Sequence, residues 1–190
     1  VHGVVRKVEP HDSVDRYTAL GVEVIEGEAR ITSPYSVEVN GKTLTTKNII
    51  LATGARPFVP PIPGVDQMDY LTSDNLWEIR ELPQRLMVLG GGPIGCELAQ
   101  CFARFGSEVS IVEMTPRLMI REDPDVSVKV IERFAEEGIN VLVGHTAKKF
   151  RIQDGQKQLI AEADGKEVIL EFDQLLVAVG RTANTSGFGL

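Results

Sequence analysis

The sequence contains little cysteine: Cys96 and Cys101 are the only two in 190 residues. Two cysteines cannot form the disulfide framework of a small secreted domain, and their scarcity is typical of a reducing compartment. No uninterrupted apolar run approaches the roughly 20 residues that a membrane-spanning helix needs, and no signal-peptide pattern opens the chain. These absences predict a cytoplasmic protein without a membrane partner.

An excess of basic residues is also missing, because 20 Lys and Arg stand against 27 Asp and Glu, for a net charge of −7. This balance disfavours nucleic acid or an anionic membrane surface as a partner. Hydrophobic residues at 43% and charged residues at 25% are ordinary for a globular protein. The chain begins at Val1 rather than Met, within what reads as folded sequence, so we expect an excised fragment of a longer protein.

The most informative stretch is 86–113, LMVLGGGPIGCELAQCFARFGSEVSIVE. Its opening apolar run is typical of a strand buried on both faces of a parallel sheet. Three glycines then follow the spacing G-x-G-x-x-G: the first permits a tight turn, the second lets backbone approach a diphosphate, and the third lets helix pack against strand. The predicted cofactor-binding positions of this turn are Gly90, Gly91, Gly92, Pro93, Ile94 and Gly95.

A helix is predicted to follow the turn and to end at Gly106, with its N-terminus directed at phosphate. The predicted sheet-facing side of this helix carries Ile94, Leu98, Cys101, Phe102 and Phe105. The next strand ends at Glu113, 23 residues after Gly90. An acid there accepts hydrogen bonds from the adenosine ribose and repels a 2′-phosphate, which favours NAD over NADP. The alternative is an ordinary glycine-rich turn, but all five parts of a dinucleotide unit occur in register.

Two features beside this turn need separate interpretation. Arg117 lies four residues beyond Glu113, and a nearby arginine can accommodate a 2′-phosphate, so use of NADP as well as NAD stays open. Cys96 and Cys101 lie five residues apart on the predicted helix, where the Cα atoms are beyond about 7 Å, too far for an unstrained disulfide. We predict that both are buried small hydrophobic residues.

The segments before the turn indicate antiparallel strands and a proline-rich connection. Residues 22–46 alternate between apolar and polar, with a hairpin at Asn40-Gly41. Residues 48–52 predict a further strand, and the prolines that follow predict a stiff connection. Thr72 or Ser73 can cap a short helix that extends to Ile79.

After Glu113, Asp123-Pro124 begins a second helix, and a parallel strand follows at 139–143. Asp-Gly turns at 154–155 and 164–165 then predict three antiparallel strands in place of a crossover helix, before a buried strand at 175–179. The predicted fold class is α/β: a Rossmann-like parallel sheet with a three-stranded antiparallel meander as crossover, plus an antiparallel β piece of another domain.

Three blocks of this sequence resemble the flavin-dependent pyridine nucleotide-disulfide oxidoreductases, near their dihydrolipoamide dehydrogenase-like and mercuric reductase-like members. The blocks are IILATGARPFVPPIPG at 49–64, LGGGPIGCELAQCFARFGSEVSIVE at 89–113 and LLVAVGRTANT at 175–185. The resemblance implies a partial FAD domain at 1–58, a linker at 59–64, an NAD domain at 65–180 and a return segment towards the FAD domain at 181–190. It also implies hydride transfer between NADH and FAD, and onward to a dithiol or metal-ion acceptor.

The resemblance further implies roles for individual residues. Ile94 matches the family's gate beside the nicotinamide, and Glu97 matches its nicotinamide-contacting acid. Thr53 and Gly54 match the loop that approaches the flavin, and Gly180 and Arg181 match the loop that leaves the last strand. Met114, which follows Glu113, completes the predicted cofactor-binding set.

The family's redox cysteine pair, its first glycine motif and its His-Glu acid/base pair are expected outside this chain. No catalytic and no metal-binding residue is therefore predicted within it. The parent protein is expected to be a homodimer, whereas the fragment can be monomeric. The alternative function is an isolated dinucleotide-binding module without catalytic activity; an intact NAD-only dehydrogenase is weaker, because no proton-transfer constellation follows the Rossmann unit.

Overall fold

A computed structural model describes residues 2–189 of the chain. The chain divides into two compact units. The larger is Ala55–Thr182, and the smaller consists of two segments, one that ends at Gly54 and one that begins at Ala183. Parallel and antiparallel sheets occur together with helices, so the predicted α/β class is confirmed. No helix among the described residues is both long and apolar enough to span a bilayer.

The smaller unit contains two short helices and an antiparallel meander. Its elements are α1 (His2–Val8), α2 (Val14–Ala19), β1 (Ala29–Ser33), β2 (Ser36–Val39) and β3 (Lys42–Thr45). The strands pair in the order β1-β2-β3. The predicted hairpin turn is confirmed, because Asn40 and Gly41 have φ values of 51° and 74°, as the favoured two-residue hairpin turn requires.

Two predictions for this unit are wrong. Residues 22–28 are not in a strand, although they continue the alternating pattern, and the predicted strand at 48–52 is irregular, with Ile50 91% exposed. A strand needs a neighbour to satisfy its N–H and C=O groups. The described residues offer no partner strand to either segment, so their apolar composition alone does not make them strands.

The larger unit is built on a four-stranded parallel sheet. Its strands and helices are β4 (Ala55–Pro57), β5 (Arg85–Leu89), α3 (Pro93–Phe105), β6 (Glu108–Glu113), α4 (Pro124–Glu136), β7 (Asn140–Val143), β8 (Thr146–Gln153), β9 (Gln156–Ala163), β10 (Lys166–Phe172), β11 (Gln174–Val177) and β12 (Arg181–Ala183), the last residue of which belongs to the smaller unit. The parallel sheet has the order β11-β5-β6-β7, and β12 pairs with β4. The carboxyl ends of β11, β5 and β6 therefore share one edge.

Helix α3 presents a different face to the sheet from the predicted one. Its buried residues are Gly95, Cys96, Ala99 and Phe102, whereas Phe105 is 71% exposed. The rotation follows from Gly95, because a Cβ there would lie 2.1 Å from the carbonyl oxygen of Gly90. Because Gly95 contacts the turn closely, the helix is rotated so that Gly95 and Ala99 face the sheet and Phe105 faces solvent.

The meander of β8, β9 and β10 replaces the crossover helix, as predicted. Both Asp-Gly turns have positive φ at each central residue, which confirms them as hairpin turns. Phe150 and Phe172 are buried there and meet edge to face with ring centroids 6.0 Å apart. The predicted linker 59–64 lies within this unit, where the amide of Phe150 donates to the carbonyl of Pro63 over 2.8 Å.

The predicted short helix ending at Ile79 is only a single 3₁₀ turn, Leu76–Glu78. The amide of Thr72 donates to Oδ1 of Asn75 over 2.6 Å, and the Thr72 hydroxyl accepts from the amide of Asp74 over 3.3 Å. In both bonds a side-chain oxygen accepts from a nearby backbone amide. Such local side-chain-to-backbone hydrogen bonds stabilise a turn and compete with the backbone bonds of a regular helix. The polar cluster at 72–75 therefore makes a turn where the sequence pattern predicts a helix cap.

Candidate functional site

The turn between β5 and α3 lies at the carboxyl edge of the parallel sheet, where two of its glycines are closed in by backbone. Gly90 has a φ of 109°, and a Cβ there would lie 2.5 Å from the carbonyl oxygen of Ala178. At Gly95 the nearest atom to a Cβ would be the Gly90 carbonyl oxygen. Any larger residue at either position would separate strand, turn and helix.

The other two glycines of the turn differ from each other. A Cβ at Gly91 would lie 2.5 Å from the side chain of Leu118 and 3.0 Å from that of Glu113, so this position is also closed. At Gly92, no atom of the described residues, apart from its two chain neighbours, would lie within 4 Å of a Cβ. Protein atoms therefore pack closely against Gly90, Gly91 and Gly95, whereas the space beside Gly92 is open.

The open glycine stands at the beginning of α3. Gly92 is the residue before the first helical position, with φ −79° and ψ −178°, and no side chain caps the helix. The first N–H groups of a helix have no intrahelical partner, and the aligned peptide dipoles make this end positive. Pro93 is exposed and the first turn carries no acid. The end of α3 therefore suits an anion approaching at Gly92.

Glu113 lies directly beside this turn, at the end of β6. One carboxylate oxygen accepts from the amide of Gly91 over 2.6 Å, and the other accepts from the amide of Thr115 over 2.7 Å. A carboxylate offers about four acceptor positions on its two oxygens. Each oxygen of Glu113 therefore keeps capacity for a further donor, such as a sugar hydroxyl.

The irregular segment 114–122, whose contacts sequence reasoning missed, covers the turn from the side of Glu113. The amide of Met119 donates to the carbonyl of Gly91 over 2.7 Å, and Leu118 is fully buried. Arg117 donates to three oxygens, two of them in the same loop. Nothing in the local sequence pattern predicts these contacts, because they depend on how the loop meets a turn more than 20 residues earlier.

The remaining predicted site residues of the larger unit lie in varied surroundings. Ile94 is half-buried, and Met114 is 70% exposed beside Glu113. Glu97 is exposed and lines a groove of about 340 Å³ between α3 and α4. Gly180, with φ 137°, follows β11 at the carboxyl edge of the sheet. Arg181 donates to the hydroxyl of Ser73 over 2.9 Å and to the carbonyl of Ala55.

Thr53 and Gly54 belong to the smaller unit. The Thr53 hydroxyl donates to the carbonyl of Asn184 over 2.7 Å. The amide of Asn184 in turn donates to the carbonyl of Gly54 over 3.0 Å. The two predicted flavin-loop residues are therefore held by the segment that follows β12.

The two cysteines of α3 are both free thiols, in different environments. Cys96 is buried, as predicted, and burial together with the carboxylates of Glu113 and Glu97 raises the pKa of its thiol to about 11. Its thiol donates to the carbonyl of Gly91 over 3.4 Å. Cys101 is exposed, so the prediction that it is buried is wrong. A protonated thiol at Cys96 is a packing group rather than a nucleophile.

Comparison with known proteins agrees with this architecture. Residues 4–189 match the family described as pyridine nucleotide-disulphide oxidoreductase. A mercuric reductase of Staphylococcus aureus is 38% identical over 188 residues, which are 99% of this chain and 34% of that protein. A dihydrolipoyl dehydrogenase of Acholeplasma laidlawii is 39% identical over 171 residues, which are 88% of this chain and 50% of that protein.

A solved structure, the HOCl-induced flavoprotein disulfide reductase RclA from Escherichia coli, superimposes with a TM-score of 0.72 at 32% identity. The match covers 86% of this chain and 37% of that one. The chain thus spans about a third to a half of the length of these relatives. With the family matched along nearly its whole length and the same fold in a solved relative, this chain belongs to the pyridine nucleotide-disulphide oxidoreductase family.

Proposed function

We propose that the turn Gly90–Gly95 binds the diphosphate of NADH and that Glu113 binds its adenosine ribose. In this proposal the larger unit is the NAD-binding domain of a flavoprotein oxidoreductase, and the smaller unit is part of its FAD domain. The electron acceptor of the whole protein is a dithiol or a metal ion, as the names of the mercuric reductase and dihydrolipoyl dehydrogenase relatives suggest.

The open space at Gly92 is the observation that carries this proposal. At three of the four glycines in the turn, a Cβ would lie 2.5 Å or less from an atom of another residue. At Gly92, nothing among the described residues apart from its chain neighbours would lie within 4 Å of a Cβ. A glycine that packing does not need is explained if a ligand approaches the backbone there. The positive end of α3 at the same place makes an anionic diphosphate the chemical class that fits.

The surroundings of Glu113 support the proposal that it binds the adenosine ribose of NADH. Its carboxylate is fixed by the amides of Gly91 and Thr115, so it cannot turn away from the glycine turn without losing both bonds. Its free acceptor positions suit the two hydroxyls of a ribose. A 2′-phosphate would bring a second negative charge to this carboxylate, so NADH is preferred to NADPH.

NADH supplies the hydride that reduces the flavin, and the residues of this chain bind and orient the coenzyme. By family resemblance, Ile94 and Glu97 are the residues nearest the nicotinamide, and Thr53 and Gly54 are those nearest the flavin. By the same resemblance, Gly180 and Arg181 form the loop at the end of the last strand. The guanidinium of Arg181 is bonded to Ser73 and to the carbonyl of Ala55.

A second candidate function is a dinucleotide-binding module without catalysis of its own, with which the two cysteines of the chain are compatible. Both lie on α3, one of them buried with a raised pKa, so the chain supplies no redox-active thiol pair. The two candidates share the same NADH site. They differ in whether a flavin and a thiol pair act on the coenzyme in the protein that contains this chain.

Replacing Gly92 by Asp tests the shared site. Asp is among the preferred residues before a helix, and its charge is favourable at a helix N-terminus, so the variant should be at least as stable as wild type. The same charge would face the diphosphate, and we expect the NADH dissociation constant to rise more than about tenfold. Isothermal titration measures the binding, and thermal unfolding measures the stability.

Gly3→Asp is the matched control for this variant. Gly3 lies in α1 of the smaller unit and has no positive φ, and among the described residues no atom beyond its own helix backbone and chain neighbours would lie within 4 Å of a Cβ. The control adds the same charge to the other compact unit and should leave NADH binding unchanged. Wild-type affinity in a stable Gly92→Asp protein would refute the proposed site.

A further inference from the structure

The proposed NADH site leaves open the role of Arg117, the cation nearest in sequence to Glu113. We propose that Arg117 is a positioning residue: it holds the loop 114–122 in the conformation that orients the Gly92 amide, and it does not bind a coenzyme phosphate. This inference rests on the proposed function.

The guanidinium of Arg117 is committed to oxygens of this loop and of α4. One terminal nitrogen donates to the carbonyl of Glu122 over 2.8 Å and to the hydroxyl of Ser127 over 2.9 Å. The other donates to the carbonyl of Ile120 over 3.0 Å. Three of its five N–H donors are thereby used, which leaves no free fork for bidentate binding of a phosphate by the terminal nitrogens.

Ser127 extends this connection back into the loop. Its side chain is buried, at 1% exposure. While it accepts from Arg117, its hydroxyl donates to the carbonyl of Leu118 over 2.5 Å. Ser127 of α4 therefore binds the Leu118 carbonyl directly. On the other side of Met119, the Ile120 carbonyl is connected to Ser127 only through Arg117.

Met119 needs this fastening because its backbone is strained. Its φ is 52°, in the left-handed region that residues other than glycine, asparagine and aspartate rarely adopt. Such a conformation persists only where surrounding contacts impose it. Here the carbonyls of its two neighbours accept hydrogen bonds from Ser127 and Arg117, in addition to the burial of the Leu118 side chain. Loss of Arg117 removes one of these constraints and should let Met119 relax.

The strained conformation has a direct consequence for the glycine turn. The amide of Met119 donates to the carbonyl of Gly91 over 2.7 Å. That carbonyl belongs to the same peptide group as the amide of Gly92, and in a trans peptide the C=O and N–H point in opposite directions. Fixing the Gly91 carbonyl towards the loop therefore fixes the Gly92 amide towards the open side of the turn.

The experiment compares Arg117→Ala with Arg121→Ala in titrations with NADH and NADPH. Arg121 is exposed in the same loop, and its side chain makes no hydrogen bond or ion pair with any of the residues 2–189 that the structure describes. We expect Arg117→Ala to raise both dissociation constants by the same factor, about five- to tenfold, and Arg121→Ala to change each by less than about twofold. A selective loss of NADPH binding in Arg117→Ala would overturn the inference, because it identifies a phosphate ligand.

A second comparison tests the pathway through Met119. Glycine adopts the left-handed region without strain, so a Met119→Gly protein should not need Arg117 to hold this conformation. In that background, Arg117→Ala should raise the NADH dissociation constant by less than about twofold. An equal loss in both backgrounds would show that Arg117 does not act through Met119.

Amide hydrogen exchange without coenzyme gives a readout independent of binding. The Met119 amide should exchange faster in Arg117→Ala than in wild type or Arg121→Ala, and unchanged protection would overturn the positioning role. The two proposals fail separately: a wild-type protein that binds no NADH refutes the proposed function, whereas wild-type affinity retained in Arg117→Ala refutes only this inference.

Discussion

Glu113 is a single residue with two roles, one structural and one in the proposed binding of the coenzyme. Its carboxylate joins the end of β6 to the glycine turn through the amide of Gly91 and to the following loop through the amide of Thr115. The same group is proposed to accept the ribose hydroxyls and to repel a 2′-phosphate. These roles predict different consequences for the removal of the whole side chain and for the removal of its charge.

Glu113→Ala should weaken NADH binding by about tenfold and NADPH binding by less, because loss of repulsion offsets part of the loss for the phosphorylated coenzyme. Glu113→Gln keeps an oxygen acceptor and removes the charge, so it should lower the preference for NADH with a smaller loss of affinity. Titration calorimetry with both coenzymes measures this. Equal losses for NADH and NADPH in Glu113→Ala would refute the proposed role of the acid.

Much of the turn was predictable residue by residue, and the loop beside it was not. The glycine spacing and the acid at the end of β6 indicate local geometry that depends on a short stretch of backbone. Met119 in a left-handed conformation, the three bonds of Arg117 and the burial of Leu118 depend on contacts between segments distant in sequence. No residue pattern within the loop itself specifies them.

Helix α3 shows the same distinction at the level of elements. The structure confirms the predicted helix that follows the glycine turn and ends at Gly106. The predicted rotation of the helix about its axis is wrong. A prediction from apolar residues at helical spacing places Phe105 in the core and does not include Gly95. In the structure the close approach to Gly90 decides the rotation, so a glycine and an alanine face the sheet.

Gly95→Ala tests this account of the packing. Helix propensity alone would make alanine more stable than glycine by about 1 kcal/mol. The added Cβ would meet the Gly90 carbonyl oxygen at 2.1 Å, and forced separation of strand and helix should lower the free energy of unfolding by about 1–3 kcal/mol. Urea denaturation measures the difference, with Gly3→Ala as a control that should not be destabilised. A Gly95→Ala protein as stable as wild type would show that α3 does not pack as described.

The two helices of the larger unit are also joined by an ion-pair cluster around Glu137, the residue after α4. Its carboxylate accepts from Arg104 over 2.7 Å and from Arg133 over 2.6 Å. Hydrogen bonds, the largest from Arg104, lower the pKa of Glu137 from 4.5 to about 2. Because the folded-state pKa is lowered, this carboxylate stabilises the fold above about pH 4.5, and the contribution is lost as the pH falls towards 2.

Glu137→Gln should therefore be less stable than wild type at pH 7, with a difference that narrows as the pH is lowered from about 5 to 3. Urea denaturation at a series of pH values measures this difference. Glu132→Gln is the control, since Glu132 is an exposed acid on α4 outside this cluster. A difference that stays constant from pH 7 to 3 would contradict the lowered pKa of Glu137.

The two compact units differ greatly in what they bury. The larger unit has two apolar clusters, centred on the two faces of the parallel sheet. Among the described residues of the smaller unit, Val39 is the only buried hydrophobic side chain. Since apolar burial must offset the entropy of ordering the chain, the smaller unit should be the less stable of the two.

Limited proteolysis of the 190-residue chain tests this difference. Cleavage should begin within the first 54 residues, and a resistant product should correspond to about Ala55–Thr182. Mass spectrometry identifies the product ends. Equal resistance of both units, or early cleavage within the parallel sheet, would contradict the difference inferred from burial.

The central claim for the whole molecule is that the coenzyme lies against the turn between β5 and α3 and reaches the acid at the end of β6. A titration of the isotope-labelled chain with NADH, followed by amide chemical shifts, tests this most directly. The account predicts saturable shifts concentrated at Gly91, Gly92, Ile94 and Gly95 and at 113–115. An absence of saturable shifts, or shifts confined to residues away from this turn, would contradict it.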